Sequence, residues 1–211
     1  MPESERLERL SERYEDYHRT SRTSTFVFGG DERAHVFAQL VGGPGKRVLD
    51  LGCRFGALTR AYAEGNDVTG VDVDREALAE AAKLGIETRF ADVEEPLPFE
   101  KGSFDVVVAG ELVEHLREPD RLVAEVRRVL RPGGRFVGSV PNFFRLRNRL
   151  AMLAGRPLDH DPTHLRIFAP RDVCALLRDY DDVTLRFVAS RFLRLSPSLF
   201  GNIVVFSATK R

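Results

Sequence analysis

Short apolar runs alternate with amphipathic stretches through most of the chain. The runs Arg47–Leu51, Asp67–Val71, Glu87–Ala91, Phe104–Ala109 and Arg135–Val140 predict strands, and Ala57–Glu64, Arg75–Leu84, Pro119–Leu130 and Pro170–Tyr180 predict helices. Apolar strands with helices between them build a parallel sheet covered on both faces. Arg131-Pro132-Gly133-Gly134 stops one helix and turns the chain into the next strand. Two last strands, Val183–Ala189 and Ile203–Thr209, are separated by a loop holding Pro197, Ser198 and Gly201, with no room for a crossover helix after Arg191, and so predict an antiparallel hairpin. The expected fold is α/β: seven strands, mostly parallel with an antiparallel last strand, and helices on both faces. Such a sheet takes its ligand at the carboxyl ends of the strands, near the point where strand order reverses.

Outside this alternation, Leu7, Leu10, Tyr14 and Tyr17 fall at steps of three or four and predict an amphipathic capping helix. Residues 20–45 read as a loose lead-in ending in Gly42-Gly43-Pro44-Gly45, and residues 142–169 as an irregular, arginine-bearing insert. With 211 residues and no internal repeat, a single domain over 1–211 is expected. No run approaches the roughly 18 apolar residues that span a bilayer, and the N-terminus is rich in Glu and Arg, so a cytoplasmic protein is expected. Cys53 and Cys174 are too few for a disulfide framework or the usual zinc spacing. The formal charge is zero, yet residues 47–141 carry 13 basic and 18 acidic side chains, and residues 142–211 carry 12 basic and 6 acidic. The later segment therefore favours an anionic ligand.

The first turn carries the chemistry. In Val48-Leu49-Asp50-Leu51-Gly52-Cys53-Arg54-Phe55-Gly56, an acid ends a buried strand, Gly52 allows a tight turn, and Gly56 opens a helix where a side chain would obstruct packing or a ligand. A glycine turn alone is also what a structural strand-to-helix connection uses. The second strand ends in Asp72, some 20 residues on, where a carboxylate can accept both ribose hydroxyls of an adenosine; the third is followed by Asp92, which can accept from an adenine amino group. A dinucleotide oxidoreductase needs G-x-G-x-x-G, but counting from Gly52 the next two glycine positions are Arg54 and Ala57.

The segments 48–59, 68–74, 91–116 and 130–142 together resemble the successive motifs of class I S-adenosylmethionine-dependent methyltransferases, over roughly half the chain and in order. The resemblance implies a Rossmann-like methyltransferase fold that binds S-adenosyl-L-methionine and releases S-adenosyl-L-homocysteine. It places Asp50, Gly52, Cys53, Arg54 and Gly56 around the methionine part, Asp72 and Val73 at the ribose and adenine, Asp92 and Val93 at the adenine edge, and Gly110 and Glu111 on the sulfonium side. Arg54 departs from the family's usual glycine; it either pairs with the cofactor carboxylate or crowds the methionine, in which case the chain is an impaired binding or assembly module.

A sulfonium methyl is already electrophilic, so positioning, worth about 7–11 kcal/mol, matters most, and a general base adds roughly 10²–10⁴-fold. His115, just after the fourth strand, is the candidate base or a locally packed side chain. His160 and His164, with Asp159 and Asp161, crowd one turn without helical ligand spacing, so no metal is expected. SVPNFFRLRNRLAMLAGRP followed by PTHLRIFAPRDVCALL resembles the quinone, methionine-related and glycan or natural-product branch, in which this stretch lies over the acceptor as a lid. That resemblance makes Asn142, Phe143, Phe144, His164 and Arg166 acceptor-site candidates, with His164 also catalytic. Arg145, Arg147, Arg149 and Arg156 beside apolar residues suit a solvated face, an anionic group, or peripheral membrane contact through 143–156. A zero net charge speaks against nucleic acid, and a small-molecule acceptor and a monomer or homodimer are expected.

Overall fold

The computed structural model describes Glu8, Ser11 and residues 29–158 and 161–211. The N-terminal stripe of Leu7, Leu10, Tyr14 and Tyr17 lies outside the described residues, as do Asp159 and His160.

Seven strands, β1 (Arg47–Leu51), β2 (Asp67–Asp72), β3 (Glu87–Phe90), β4 (Phe104–Gly110), β5 (Leu130–Pro141), β6 (Asp181–Val188) and β7 (Ile203–Thr209), form one sheet in the order β3-β2-β1-β4-β5-β7-β6. β1 to β5 pair in parallel, and β7 inserts antiparallel to both β5 and β6. Strand order reverses between β1 and β4, so the carboxyl ends of these two strands flank the crevice where such sheets bind ligands. In β1, Val48, Leu49 and Leu51 are fully buried, as a strand covered on both faces requires.

One face of the sheet carries α4 (Pro119–Val129) and α6 (Pro170–Leu176), which contribute Leu122, Val123, Val126, Val129, Val173 and Leu176. The other carries α1 (Gly30–Val41), α2 (Arg60–Ala63) and α3 (Arg75–Ala82), through Phe37, Leu40, Val41, Tyr62 and Ala81. α5 (Leu146–Leu153) lies in the 142–169 insert and buries none of its residues, and α7 (Pro197–Phe200) sits in the β6–β7 connection.

Five local expectations change. The lead-in contains a full helix, α1, whose buried stripe Arg33, Phe37, Leu40 and Val41 has helical spacing. The helix expected over Ala57–Glu64 shrinks to α2, because Gly56, at φ 72°, begins a series of turns. β5 starts at Leu130, not Arg135: Leu130 pairs with Phe104, the register slips, and pairing resumes at Val106 with Arg135, so Arg131–Gly134 form an irregularity within the strand. α6 stops at Leu176, although Tyr180 remains buried and donates its hydroxyl to the Val123 carbonyl at 3.0 Å. The β6–β7 loop holds one short helical turn, and the hairpin itself is as expected.

Candidate active site

Asp50, Asp72 and Asp92 all lie at or just beyond the carboxyl ends of neighbouring strands. Asp50 Oδ2 accepts from Thr59 Oγ1 at 2.5 Å and from the Tyr62 hydroxyl at 2.8 Å. Burial raises its carboxyl to about 6 against the lowering effect of those two bonds; Asp72 raises it further and Arg33 lowers it. Asp72 ties two turns together: Oδ2 accepts from the Arg54 amide at 2.8 Å, and Oδ1 from the amides of Val73 at 2.8 Å and Asp74 at 3.0 Å. Asp92 Oδ1 accepts from the Glu94 amide at 2.9 Å. Val93 is 9% exposed and packs in the core.

The turn after β1 is held to β2 by the Gly52 and Cys53 amides, both donating to the Val71 carbonyl. Gly52 has φ 72°, and a Cβ there would stand 3.2 Å from Leu112. Cys53 is buried with its thiol pushed far up by burial and then by Asp50; its Sγ fills the space beside Gly70, where an added Cβ would come within 2.6 Å of it. Arg54 also adopts a left-handed backbone, φ 49°, which explains why glycine suits this position, and its guanidinium carbon lies 5.5 Å from the Phe55 ring centroid.

Two residues of this region are not among the candidates read from the sequence. Arg33 on α1 is 4% exposed, and its charge acts on both Asp50 and Glu114. Glu114 is 1% exposed; burial first, then the neighbouring charge of Glu111, hold its carboxyl well above the usual range, and Arg33 opposes them. The spacing of Arg33 with Phe37, Leu40 and Val41 is the signal that would have revealed Arg33. Glu111 takes a left-handed backbone, φ 58°, and its Oε1 accepts from Ser139 Oγ at 3.0 Å.

Beyond β4, a short 3-10 turn, Val113–His115, brings His115 against His164, ring centroids 4.7 Å apart. Phe143 meets His164 edge-on at 5.9 Å. Thr163 Oγ1 donates to Asp161 Oδ1 at 2.6 Å and lies 3.0 Å from His115 Nδ1; the Thr163 carbonyl is 3.3 Å from the same nitrogen. A hydroxyl has one proton to give, so both oxygens facing Nδ1 act as acceptors. The proton of neutral His115 is thereby assigned to Nδ1, which leaves a lone pair on Nε2.

Two of the other acceptor-site candidates, Asn142 and Arg166, make bonds within the fold. Asn142 is 3% exposed and donates its amide to the carbonyls of Ser198 at 3.0 Å and Gly201 at 2.9 Å, pinning β5 to the β6–β7 connection. Phe144 is 40% exposed. Arg166 is exposed and donates to the carbonyls of Leu116 and Arg117, stapling residues 164–166 to the turn after β4. Arg145 and Arg149 likewise bond to Asn148, Asn202 and the Phe144 carbonyl.

This topology, with its glycine turn and the acids that follow it, is that of a class I S-adenosylmethionine-binding sheet. The family model described as a methyltransferase domain matches residues 49–138. The ubiquinone biosynthesis O-methyltransferase of Xanthomonas oryzae pv. oryzae is 32% identical over 147 residues, covering 64% of this chain and 62% of that protein. A SAM-dependent methyltransferase from Archaeoglobus fulgidus superposes with a TM-score of 0.71 at 19% identity, covering 94% of this chain and 99% of that one. A Haemonchus contortus N-methyltransferase in complex with phosphomonomethylethanolamine and S-adenosylhomocysteine superposes with a TM-score of 0.66 at 18% identity, covering 93% and 60%. The chain spans about half the length of the curated relatives it matches. Residues 49–138 thus match a methyltransferase domain, and the fold is that of S-adenosylmethionine-dependent methyltransferases.

The residues present suit that cofactor: the carboxylates of Asp72 and Asp92, at and just beyond the ends of β2 and β3, are acceptors for hydroxyl and amino groups. When bound, S-adenosylmethionine supplies an electrophilic methyl group. Among the described residues no helix is long and apolar enough to cross a membrane.

Proposed function

We propose that the protein transfers the methyl group of S-adenosylmethionine to an oxygen of a hydroxyl-bearing small molecule, held between the β4 edge and residues 142–168. The observation that carries this reading is the Asp161–Thr163–His115 chain, which directs a lone pair to His115 Nε2. A hydroxyl must lose its proton as the carbon–oxygen bond forms, and a base fixed in this tautomer takes it. An amine attacks through a lone pair that it already has and gains less from such a base. The O-methyltransferase named among the relatives supports oxygen. Asp72 and Val73 would hold the ribose and adenine, Asp92 the adenine amino group, Asp50 and the backbone of the turn at 52–56 the methionine part, and Gly110 and Glu111 the sulfonium side. Phe143 and His164 would wall the acceptor.

The test is incubation with S-adenosylmethionine labelled in its methyl group and a panel of phenols, catechols, sugars and amines. Label should enter hydroxyl groups, and His115→Ala should lower turnover at least tenfold with S-adenosylhomocysteine affinity nearly unchanged. Transfer to amines alone, or to nothing, contradicts the reading.

A binding or assembly module is the second reading, favoured by one observation: Arg54 places a long side chain at a left-handed position of the cofactor turn. Cofactor titration separates the two.

A further inference from the structure

The turn after β4 buries a carboxylate that methyl transfer by a histidine base does not use. Glu114 is 1% exposed, and neither of its carboxylate oxygens has a hydrogen-bond partner. A carboxylate kept from water without hydrogen bonds is costly, and buried charges are normally paired with a cation or bound to a metal. Arg33 acts on Glu114 through its charge, while Glu111 and Asp161 add negative charge.

Two imidazoles stand beside this carboxylate. Glu114, His115 and His164 each present one ligand atom, and the three atoms lie within 4.8 Å of one another. His115 engages Thr163 through Nδ1, and Thr163 is oriented by Asp161. This is the support that metal-ligating histidines have: one ring nitrogen anchored to an acceptor, the other left with its lone pair. The ligands come from two places in the chain, the turn after β4 and the segment at 161–166. They are joined by the amides of Leu165 and Arg166, which both donate to the Glu114 carbonyl, at 2.9 and 3.1 Å.

We propose that Glu114, His115 and His164 form a binding site for a divalent cation. Two imidazoles and one carboxylate on one side of an ion leave coordination positions open on the other. Under the methyl-transfer reading, on which this catalytic role rests, those positions take the acceptor's hydroxyl oxygen. The ion acidifies that hydroxyl, whose proton leaves to solvent. The oxygen's electron pair then forms the bond to the methyl carbon as the carbon–sulfur pair returns to sulfur. His115 Nε2 thus serves the ion in the loaded protein and the proton in the metal-free one.

The test uses the whole chain, stripped with a chelator and titrated calorimetrically with Zn²⁺, Mn²⁺ and Mg²⁺ in turn, without cofactor. One ion per chain should bind, with affinity at least tenfold weaker in Glu114→Gln and in His164→Ala. His115→Gln is the companion variant should either of these fail to fold, and circular dichroism reports folding. No binding by any of the three ions, or binding unchanged in the folded variants, overturns the site. Methyl transfer that proceeds equally after chelation overturns the ion's catalytic role and leaves the O-methyltransferase reading standing. Ion binding without transfer to any acceptor supports the site and removes the reading.

Discussion

A Cβ built on Gly110, the last residue of β4, would come 2.6 Å from Nη2 of Arg33 on α1. The end of β4 is therefore shaped by a cation that arrives from a helix 77 positions earlier in the chain, and that cation is enclosed with two carboxylates, Asp50 and Glu114. Replacing Arg33 by Met keeps most of the side-chain volume and removes the charge. Leaving two buried acids without it should destabilise the fold by about 2–3 kcal/mol. Urea unfolding at neutral pH measures this, and a loss under about 0.5 kcal/mol, the level of an ordinary surface change, would show that the guanidinium does not support the two acids.

Asp50 sets a pH dependence of stability. Its carboxyl is raised from 3.8 to about 6 in the folded chain, so the folded state holds a proton that the unfolded state releases between those values. Stability due to this group is present below pH 3.8 and is lost as pH rises through about 6. The loss amounts to about 3 kcal/mol at 1.36 kcal/mol per unit. Asp50→Asn keeps an acceptor for Thr59 and Tyr62 and cannot ionise. Its stability relative to the parent should therefore rise between pH 4 and 7, and parallel curves for the two proteins would refute the assignment.

Much of this arrangement was legible in the sequence. The strand run Val48–Leu51, the glycine turn and the acids at positions 50, 72 and 92 located the carboxyl edge of the sheet, because buried parallel strands and left-handed turns leave strong local signals. Less legible were features set by distant contacts. The Thr163–His115 bond spans 48 residues, and nothing local to either residue announces it. Arg131–Gly134 read as a helix stop, yet pairing with β4 carries the strand through it as an irregularity. Asn142 and Arg166 had the chemistry of ligand-binding groups, and the fold uses both to bond carbonyls of neighbouring segments. α1 had legible spacing that the flanking glycines masked.

Cys53 and Gly70 make a testable pair. Ala at position 70 would press on Cys53 Sγ at 2.6 Å and on Ile86 at 3.2 Å, deforming the turn after β1. Gly70→Ala should cost about 1–3 kcal/mol, and Cys53→Ala should recover part of that loss in the double variant. Strict additivity in the double-mutant cycle would mean that the two side chains do not meet.

Arg54 tests whether the departure from glycine matters. A left-handed non-glycine residue costs about 1–2 kcal/mol, and glycine loosens the unfolded chain by about 0.4–1 kcal/mol. Arg54→Gly should then stabilise the protein by up to about 1 kcal/mol and leave S-adenosylhomocysteine affinity equal or tighter. A tenfold loss of affinity would show that the guanidinium binds the cofactor carboxylate.

The central claim is that the carboxyl edge of β1, β2 and β4 binds S-adenosylmethionine. Calorimetric titration of the purified chain with S-adenosylhomocysteine measures it most directly. One ligand per chain with micromolar affinity, weakened at least tenfold by Asp72→Ala, is the predicted result; no binding at millimolar ligand would contradict the account.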